Sequence, residues 1–350
     1  MTDLRVLVVN DSPTVRAALR TALEAHPNVR VVGEIGDGTA VVDAALRLRP
    51  SVILMDAVMP HCDGYEATRA VMARAPTPVV MVSAVEDARH EHVVLRALGA
   101  GALAIVGLPP GPGDPLHRSR WAALVQLLRT MAGARLGPAA PFEEQAPVEA
   151  RGPARRPANA SGIAAIALVA SAGGPQALAS VLLALADADL PPVLLVQHMA
   201  PGFTSGFASW LEGETKRSVR LARTGEQLVP GVVYLAPEER HLEVASDGTA
   251  LVRDLPPVRG FRPSADVLLS SLAKVYGERA IAVVLTGMGS DGAQGAAELR
   301  AAGGTVIAES SQTAVIDGMP RAVRDRGAAS KVLALPAIAG GLRELLGGGH

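Results

Sequence analysis

Short, almost wholly apolar runs alternate along this chain with longer stretches whose apolar positions recur every three or four residues. From the N-terminus the order is RVLVVN, VRAALRTALEA, NVRVVGEI, TAVVDAALRLR, SVILMD, EATRAVMARA, PVVMVS, EHVVLRALGA, ALAIV and WAALVQLLRTM. Continuous apolar runs bounded by polar residues read as strands buried on both faces, and the 3.6-residue period reads as helix. Five strands with intervening helices over residues 1–131 predict a five-stranded, doubly wound parallel sheet. The pattern then lapses. Residues 137–162, GPAAPFEEQAPVEARGPARRPANASG, carry five prolines and almost no periodic apolar positions, the composition of a linker. We place the linker at 132–161 and a second α/β domain at 162–350. That domain reads as a mainly parallel sheet, except that residues 232–252, VVYLAPEERHLEVASDGTALV, alternate in short runs around turn signals. They predict antiparallel hairpins attached to the sheet. No fixed-period repeat is evident.

Composition narrows the functional classes. A length of 350 residues suits two domains, each with its own core. With 49% hydrophobic but only 3% aromatic residues, those cores must be built from Ala, Val, Leu and Ile. A formal net charge of −1 gives no polybasic surface, and the few aromatics give no platform for stacking bases, so nucleic acid is not an expected partner. Cys62 is the only cysteine, which excludes an intrachain disulfide and a cysteine-based zinc site. The opening MTDLRVLVVN has too short an apolar run for a signal peptide, and no later run reaches membrane-spanning length. The expectation is a cytoplasmic protein that is not integral to a membrane.

In a parallel sheet, ligands sit beyond the carboxyl ends of the strands. Three strands of the first domain end there in polar residues: Asn10 and Asp11, then Asp56, then Ser83. Two carboxylates in one crevice can hold magnesium, which prefers oxygen ligands. The plainer alternative is that Asp11 and Asp56 cap the elements that follow them. Through VLVVNDSPTVR, VILMDAVMPHCDGYE, VVMVSA and GALAIVGLPPG, residues 1–130 resemble a response-regulator receiver domain. The resemblance implies that Asp56 is the phospho-acceptor, that Asp11 and Asp56 ligate Mg2+, and that Ser83 is the switch hydroxyl. Two positions depart from the family pattern. Asn10 replaces the first of two acids, so it can ligate but brings no charge and magnesium is held more weakly. Leu108 replaces the lysine before Pro109, removing a charge-assisted contact to the phosphoryl group.

In the second domain, residues 167–178 read ALVASAGGPQAL, a strand, tight turn and helix by composition. Ser171 is either a nucleophile at the turn, a residue of a phosphate-cradling glycine loop, or a simple helix cap. The run PPVLLVQHMAPGF ends a strand at Gln197-His198, and AIAVVLTGMGSDGAQGAAEL brings Asp291 to another strand end. A serine nucleophile needs a base to take its proton, and the base needs a carboxylate to fix its tautomer. Ser171, His198 and Asp291 fill those roles. Alone, His198 would read as a satisfied core histidine and Asp291 as a cap. The serine is not in an α/β-hydrolase elbow, because Val169 stands where that motif needs glycine. A dinucleotide loop is disfavoured by Ala170 and by the lack of an acid after the next strand. TGMGSDG lacks the lysine of a P-loop. His90 and His92 have no metal-ligand spacing and read as solvated surface.

The combination ASAGGP, LLVQHMAPGF, LTGMGSDGA and VIDGMP resembles the catalytic domain of chemotaxis protein-glutamate methylesterases, the CheB family, and the receiver–linker–enzyme order is that family's architecture. The resemblance implies hydrolysis of glutamyl γ-methyl esters on cytoplasmic helices of methylated chemoreceptors, with deamidation of receptor glutamines. It also implies a chemotaxis histidine kinase as phosphodonor and no cofactor for the ester step. Ser171 matches the nucleophile, His198 the base and Asp291 its orienting carboxylate, and the receiver docks over the cleft until phosphorylation relieves the block. The Met288 N–H is a candidate oxyanion donor, and Ala172, where many members have threonine, contributes only backbone. Met319 and Pro320 are expected to be structural or substrate-lining. Two alternatives stand beside this reading: a binding module with little or no turnover, and an esterase controlled by a partner instead of phosphorylation.

Overall fold

The computed structural model describes residues 3–83, 91–111, 113–136 and 162–347. Most of the expected linker, His90 and the side chain of His92 lie outside the described residues. The N-terminal domain runs β1 (Leu4–Val9), α1 (Pro13–Glu24), β2 (Val29–Ile35), α2 (Val41–Leu48), β3 (Val52–Asp56), α3 (Gly64–Arg74), β4 (Val79–Ser83), α4 (Glu91–Gly99), β5 (Ala104–Gly107) and α5 (His117–Ala132). Its five strands pair in the order β2-β1-β3-β4-β5, all parallel. The inner strands β1, β3 and β4 are almost wholly apolar because both of their faces are covered, whereas the edge strand β2 keeps Arg30 and Glu34 and is only partly buried. Leu7, Val9, Ile53, Met55, Val79 and Met81 enter one buried cluster, while Val6, Val8, Leu54, Val80 and Val82 enter another. That division follows the two-residue period of a strand. The helix starts are set locally: the Ser12 hydroxyl accepts the Val15 N–H ahead of Pro13, and the Asp63 carboxylate accepts those of Tyr65 and Glu66.

The C-terminal domain runs β6 (Ala165–Ala170), α6 (Gly174–Ala184), β7 (Val193–Gln197), α7 (Thr204–Thr215), β8 (Val219–Leu221), β9 (Val233–Leu235), β10 (His241–Val244) and β11 (Ala250–Arg253). It continues with α8 (Ala265–Val275), β12 (Ala280–Val284), α9 (Ala293–Ala301), β13 (Thr305–Glu309), α10 (Met319–Asp325), β14 (Lys331–Leu333) and α11 (Leu335–Leu345). Seven strands pair in the order β14-β13-β12-β6-β7-β9-β8, and every pairing is parallel. The 232–252 segment departs from the expected hairpins attached to the sheet. Val233–Leu235 is a buried parallel strand between β7 and β8, and only β10 and β11 pair antiparallel, in a separate two-stranded sheet. The split is physical. VYL is short and buried on both faces, whereas HLEV and ALVR flank a turn in which Asp247 accepts the Thr249 N–H and Gly248 takes a φ of 82°. The chain leaves β6 toward β7 on one side and returns through β12 on the other, so the strand order reverses at β6. A ligand crevice is expected at the carboxyl end of that strand.

The N-terminal domain lies against this end of the sheet. Helix α4 packs on α7, and Val94 and Leu98 join the buried cluster that holds Leu178, Phe203 and Phe207. The Gln176 side chain on α6 donates to the carbonyls of Leu98 (3.1 Å) and Ala102 (3.3 Å). Trp121, Leu124 and Leu128 of α5 share a second cluster with Ala172 and Ile316. A cleft of about 940 Å³ remains between the domains, lined by Leu108, Leu124 and Phe203 among others.

Candidate active site

Ser171, His198 and Asp291 converge at the strand-order reversal. Residue 170 of β6 pairs with residue 197 of β7, so Ser171 and His198 are the next residues on two adjacent strands, and the His198 N–H donates to the Ala170 carbonyl (3.0 Å). Asp291 comes from the loop after β12, the strand on the other side of β6. Its Oδ2 accepts the His198 Nε2 hydrogen at 2.9 Å. The His198 ring is held nearly parallel to Phe261, with centroids 4.3 Å apart. With Nε2 committed to the carboxylate, Nδ1 is left as the acceptor nitrogen of the ring, buried without a hydrogen-bond partner among the described residues. No hydrogen bond joins it to Ser171 in this structure.

Asp291 owes its charge state to its surroundings. Asp291 is 1% exposed, and burial alone would raise its pKa. The hydrogen bond and charge of His198, the Ser264 hydroxyl (2.7 Å) and the Asp266 N–H (3.0 Å) outweigh burial and hold the carboxyl below its ordinary value. Neither Ser171 nor Asp291 caps the helix that follows it. Gly173 and Gly292 occupy those cap positions without a side-chain bond. Gly173 takes a φ of 73°, and a Cβ there would meet Val315 at 2.8 Å, so the turn after Ser171 demands glycine. Among the described residues, no backbone acceptor takes the N–H of Ala172 or of Met288. Gly287 lets the second of these approach the serine: a Cβ on it would lie 2.8 Å from the Ser171 Cβ. Two backbone N–H groups without a backbone acceptor thus lie near Ser171, one on the residue that follows it and one on the residue after Gly287.

The second site lies in the N-terminal domain. Asp56 ends β3, and its carboxylate accepts from the Val58 N–H (3.2 Å) and from the Asn10 side-chain amide. Asn10 in turn accepts the Ser12 N–H on its oxygen (2.9 Å), so its nitrogen faces Asp56. Burial first, then the charge of Asp11, raises the Asp56 pKa to about 6. Two carboxylates that repel each other are a donor set that suits a divalent cation, and Asp11 and Asp56 are the residues that would hold one. Among the described residues no group of three or more His, Cys, Asp or Glu side chains gathers for a metal. The Ser83 hydroxyl at the end of β4 is buried without a partner among the described residues, and the Leu108 side chain packs against the cluster of Trp121 and Leu124.

Comparison with known proteins bears on both sites. A model described as CheB methylesterase matches residues 166–342, and one described as response regulator receiver domain matches residues 6–109. The chain belongs to the CheB methylesterase family. It is 43% identical over 336 residues, 96% of this chain and 95% of the relative, to protein-glutamate methylesterase/protein-glutamine glutaminase 4 of Myxococcus xanthus strain DK1622. It is also 43% identical over 340 residues, 96% of this chain and 97% of the relative, to protein-glutamate methylesterase/protein-glutamine glutaminase 3 of Anaeromyxobacter dehalogenans strain 2CP-C. The crystal structure of the Thermotoga maritima CheB methylesterase catalytic domain superposes with a TM-score of 0.50 at 38% identity, covering 52% of this chain and 97% of that one. No helix among the described residues is long and apolar enough to cross a membrane.

Sequence reasoning overlooked several residues that this CheB-family site uses. Ser264 and Ala265 open α8 and donate to Asp291 from the hydroxyl and from the backbone (2.6 Å). A Ser at a helix start is a visible signal, yet here it serves a carboxylate from a distant loop instead of capping its own helix. Gln197 was legible only as the neighbour of His198. Its Nε2 donates to the carbonyls of Ser171 (2.7 Å) and His198 (2.8 Å), tying the two strand ends together. Thr286 accepts the Ser171 N–H on its carbonyl, and its hydroxyl donates to the Ala172 carbonyl. Nothing in the pattern of an apolar strand end announces that.

Proposed function

We propose that this chain hydrolyses glutamyl γ-methyl esters on the cytoplasmic helices of methylated chemoreceptors and deamidates receptor glutamines, working in the cytoplasm. The proposed division is a receiver over residues 1–131, a linker over 132–161 and the methylesterase over 162–350. The observation that carries the reading is the Asp291–His198 hydrogen bond, which leaves His198 Nδ1 as an unpartnered base next to the strand end that bears Ser171.

In this mechanism His198 Nδ1 takes the Ser171 proton as the hydroxyl oxygen attacks the ester carbonyl. The negative charge passes to the carbonyl oxygen and is met by the N–H groups of Met288 and Ala172. The imidazolium, steadied by ionised Asp291, returns its proton to the departing methoxy oxygen, and methanol leaves an acyl-serine. A water molecule deprotonated by His198 then releases the glutamate side chain and restores the serine. For a glutamine substrate the leaving group is ammonia. This sequence uses no cofactor.

The receiver is proposed to act as a cover. Its α5 packs against Ala172 and Ile316, and Thr130 donates to the Met288 sulfur (3.0 Å), so the docked domain touches the residues beside Ser171. Phosphorylation of Asp56 by a chemotaxis histidine kinase would disturb that docking. A magnesium ion bound by Asp11 and Asp56 would supply charge neutralisation for the incoming phosphoryl group. A second reading, control by a partner, draws on Asn10 and Leu108: one presents an uncharged amide to Asp56, and the other directs its side chain into the apolar cluster. Methanol release from methylated receptor membranes, with and without Mg2+ and acetyl phosphate, tests both. Activity that disappears in Ser171→Ala supports the esterase, and retained activity removes it. Stimulation by acetyl phosphate that disappears in Asp56→Asn supports the phosphorylated switch, and an unresponsive but active enzyme favours the partner.

A further inference from the structure

The base of the proposed site is held by an aromatic ring as well as by a carboxylate. Phe261 stacks on His198 with an interplanar angle of 15° and a centroid separation of 4.3 Å. The ring is delivered by a tight turn. Val258 and Phe261 exchange backbone hydrogen bonds (3.0 and 2.9 Å), and the two residues between them, Arg259 and Gly260, both take left-handed backbone angles, φ 51° and 88°. Positive φ at both central positions is the signature of a rigid two-residue hairpin turn. On its far edge Phe261 meets the loop that carries Asp291: a Cβ on Gly289 would lie 3.5 Å from Phe261 Cζ. Phe261 therefore spans from the Asp291 loop to the imidazole face.

A single hydrogen bond at Nε2 lets an imidazole swing about that contact, because Nδ1 has no partner to fix the ring plane. Stacking supplies the missing constraint, since offset parallel rings resist rotation out of their common plane. From this geometry we propose that Phe261 is a positioning residue, which sets the plane of the His198 ring so that Nδ1 faces the Ser171 hydroxyl. The inference rests on the reading of Ser171 and His198 as nucleophile and base.

What the ring must supply is a flat face, and volume alone does not replace it. The test compares Phe261→Leu, Phe261→Ala and Phe261→Tyr in the full-length protein, measuring kcat and KM for methanol release from methylated receptor, with Ser171→Ala as control. Phe261→Leu and Phe261→Ala are expected to lower kcat at least tenfold with KM changed less than twofold, and Phe261→Tyr to restore kcat to within about threefold. In NMR spectra, the His198 Cε1 proton should move downfield in the leucine variant as the ring current of the stacked phenyl is lost. Wild-type kcat in Phe261→Leu, or a loss confined to KM, would overturn the positioning role while leaving the esterase reading intact. Methanol release surviving in Ser171→Ala would instead remove the esterase reading itself. Thermal unfolding of each variant separates these outcomes from misfolding, and Phe261→Tyr keeps the test decisive if the leucine variant does not fold.

Discussion

Asp291 binds His198 and the first turn of α8 with one carboxylate. Its Oδ2 receives the His198 Nε2 hydrogen and the Ala265 N–H, while Oδ1 receives the Ser264 hydroxyl and the Asp266 N–H. A helix N-terminus stabilises negative charge there, which explains how a carboxyl with 1% exposure stays ionised beside His198. An amide cannot do the same work, because its nitrogen would present hydrogens to those donors. Asp291→Asn is expected to lower kcat on the order of 10³- to 10⁴-fold, by analogy with loss of the orienting acid in serine hydrolases. Ser264→Ala, which removes one of four donors, should cost no more than about tenfold. Single-turnover methanol release on methylated receptor distinguishes the two, and equal losses would contradict this division of labour.

Gly287 has to be glycine for the loop that carries Met288 to pack against the loop that carries Ser171. A Cβ there would lie 2.4 Å from Met319 Sδ and 2.8 Å from the Ser171 Cβ, and the Gly287 N–H already donates to Ile316 (2.9 Å). Relief would have to push the Met288 N–H or the serine out of place. Gly287→Ala should cost about 1–3 kcal/mol in chemical denaturation and most of the esterase activity. Wild-type stability with wild-type turnover would show that the two loops are not in such close contact.

Asp56 makes the N-terminal site pH-dependent in a defined direction. Burial and then the Asp11 charge raise its pKa to about 6, so the carboxylate needed to attack a phosphoryl donor is scarce below that pH and abundant above it. The initial rate of labelling by acetyl phosphate should rise roughly tenfold between pH 5 and pH 7, after correction for the donor's own ionisation. The stability effect has the opposite sign. A carboxyl whose folded pKa is raised favours folding at low pH, and that contribution is lost as pH climbs from about 4 to about 6. Asp56→Asn should therefore gain melting temperature on wild type as pH rises from 4 to 7. A pH-independent difference between the two proteins would mean that Asp56 is not desolvated in solution.

How far these features could be read from the chain differs by feature, and the difference has physical causes. The inner N-terminal strands were legible because strands covered on both faces need apolar runs, as in VILM and VVMV, and the edge strand VRVVGEI was legible from its β-branched residues in spite of Arg30 and Glu34. The VYL strand was misread because three buried residues carry no period, and the parallel neighbours that absorb it lie 14 to 40 positions away. Ser171, His198 and Asp291 were visible as polar residues at three strand ends; each alone reads equally as a cap or a core residue, and only their combination pointed to one site. Phe261, Ser264 and Thr286 were hidden because each acts through a partner on another element, and no local rule links Phe261 to His198 across 63 positions. Asn10 and Leu108 were legible only as departures from a family pattern. That Asn10 turns its nitrogen toward Asp56 is a consequence of the Ser12 N–H claiming its oxygen.

Gln176 offers a way to loosen the docked receiver without touching the site it covers. It sits on α6, and its side-chain amide donates to the carbonyls of Leu98 and Ala102, at the C-terminal end of α4. The Leu98 carbonyl lies in the last turn of α4, at the negative end of the helix dipole, and the Ala102 carbonyl follows just beyond it, so a donor stabilises them and a carboxylate would repel them. Gln176→Glu replaces both donors by acceptors at almost constant volume. If the receiver restrains the esterase by docking, basal methanol release without acetyl phosphate should rise severalfold in this variant, with little further stimulation by phosphorylation. Gln176→Ala, which loses the bonds without adding repulsion, should give a smaller rise. The two rates would then order with the electrostatic cost at the α4 terminus. A basal rate unchanged in both variants would mean that docking against α6 does not limit turnover, and that the cover acts, if at all, through the α5 contact with Met288 and Ala172.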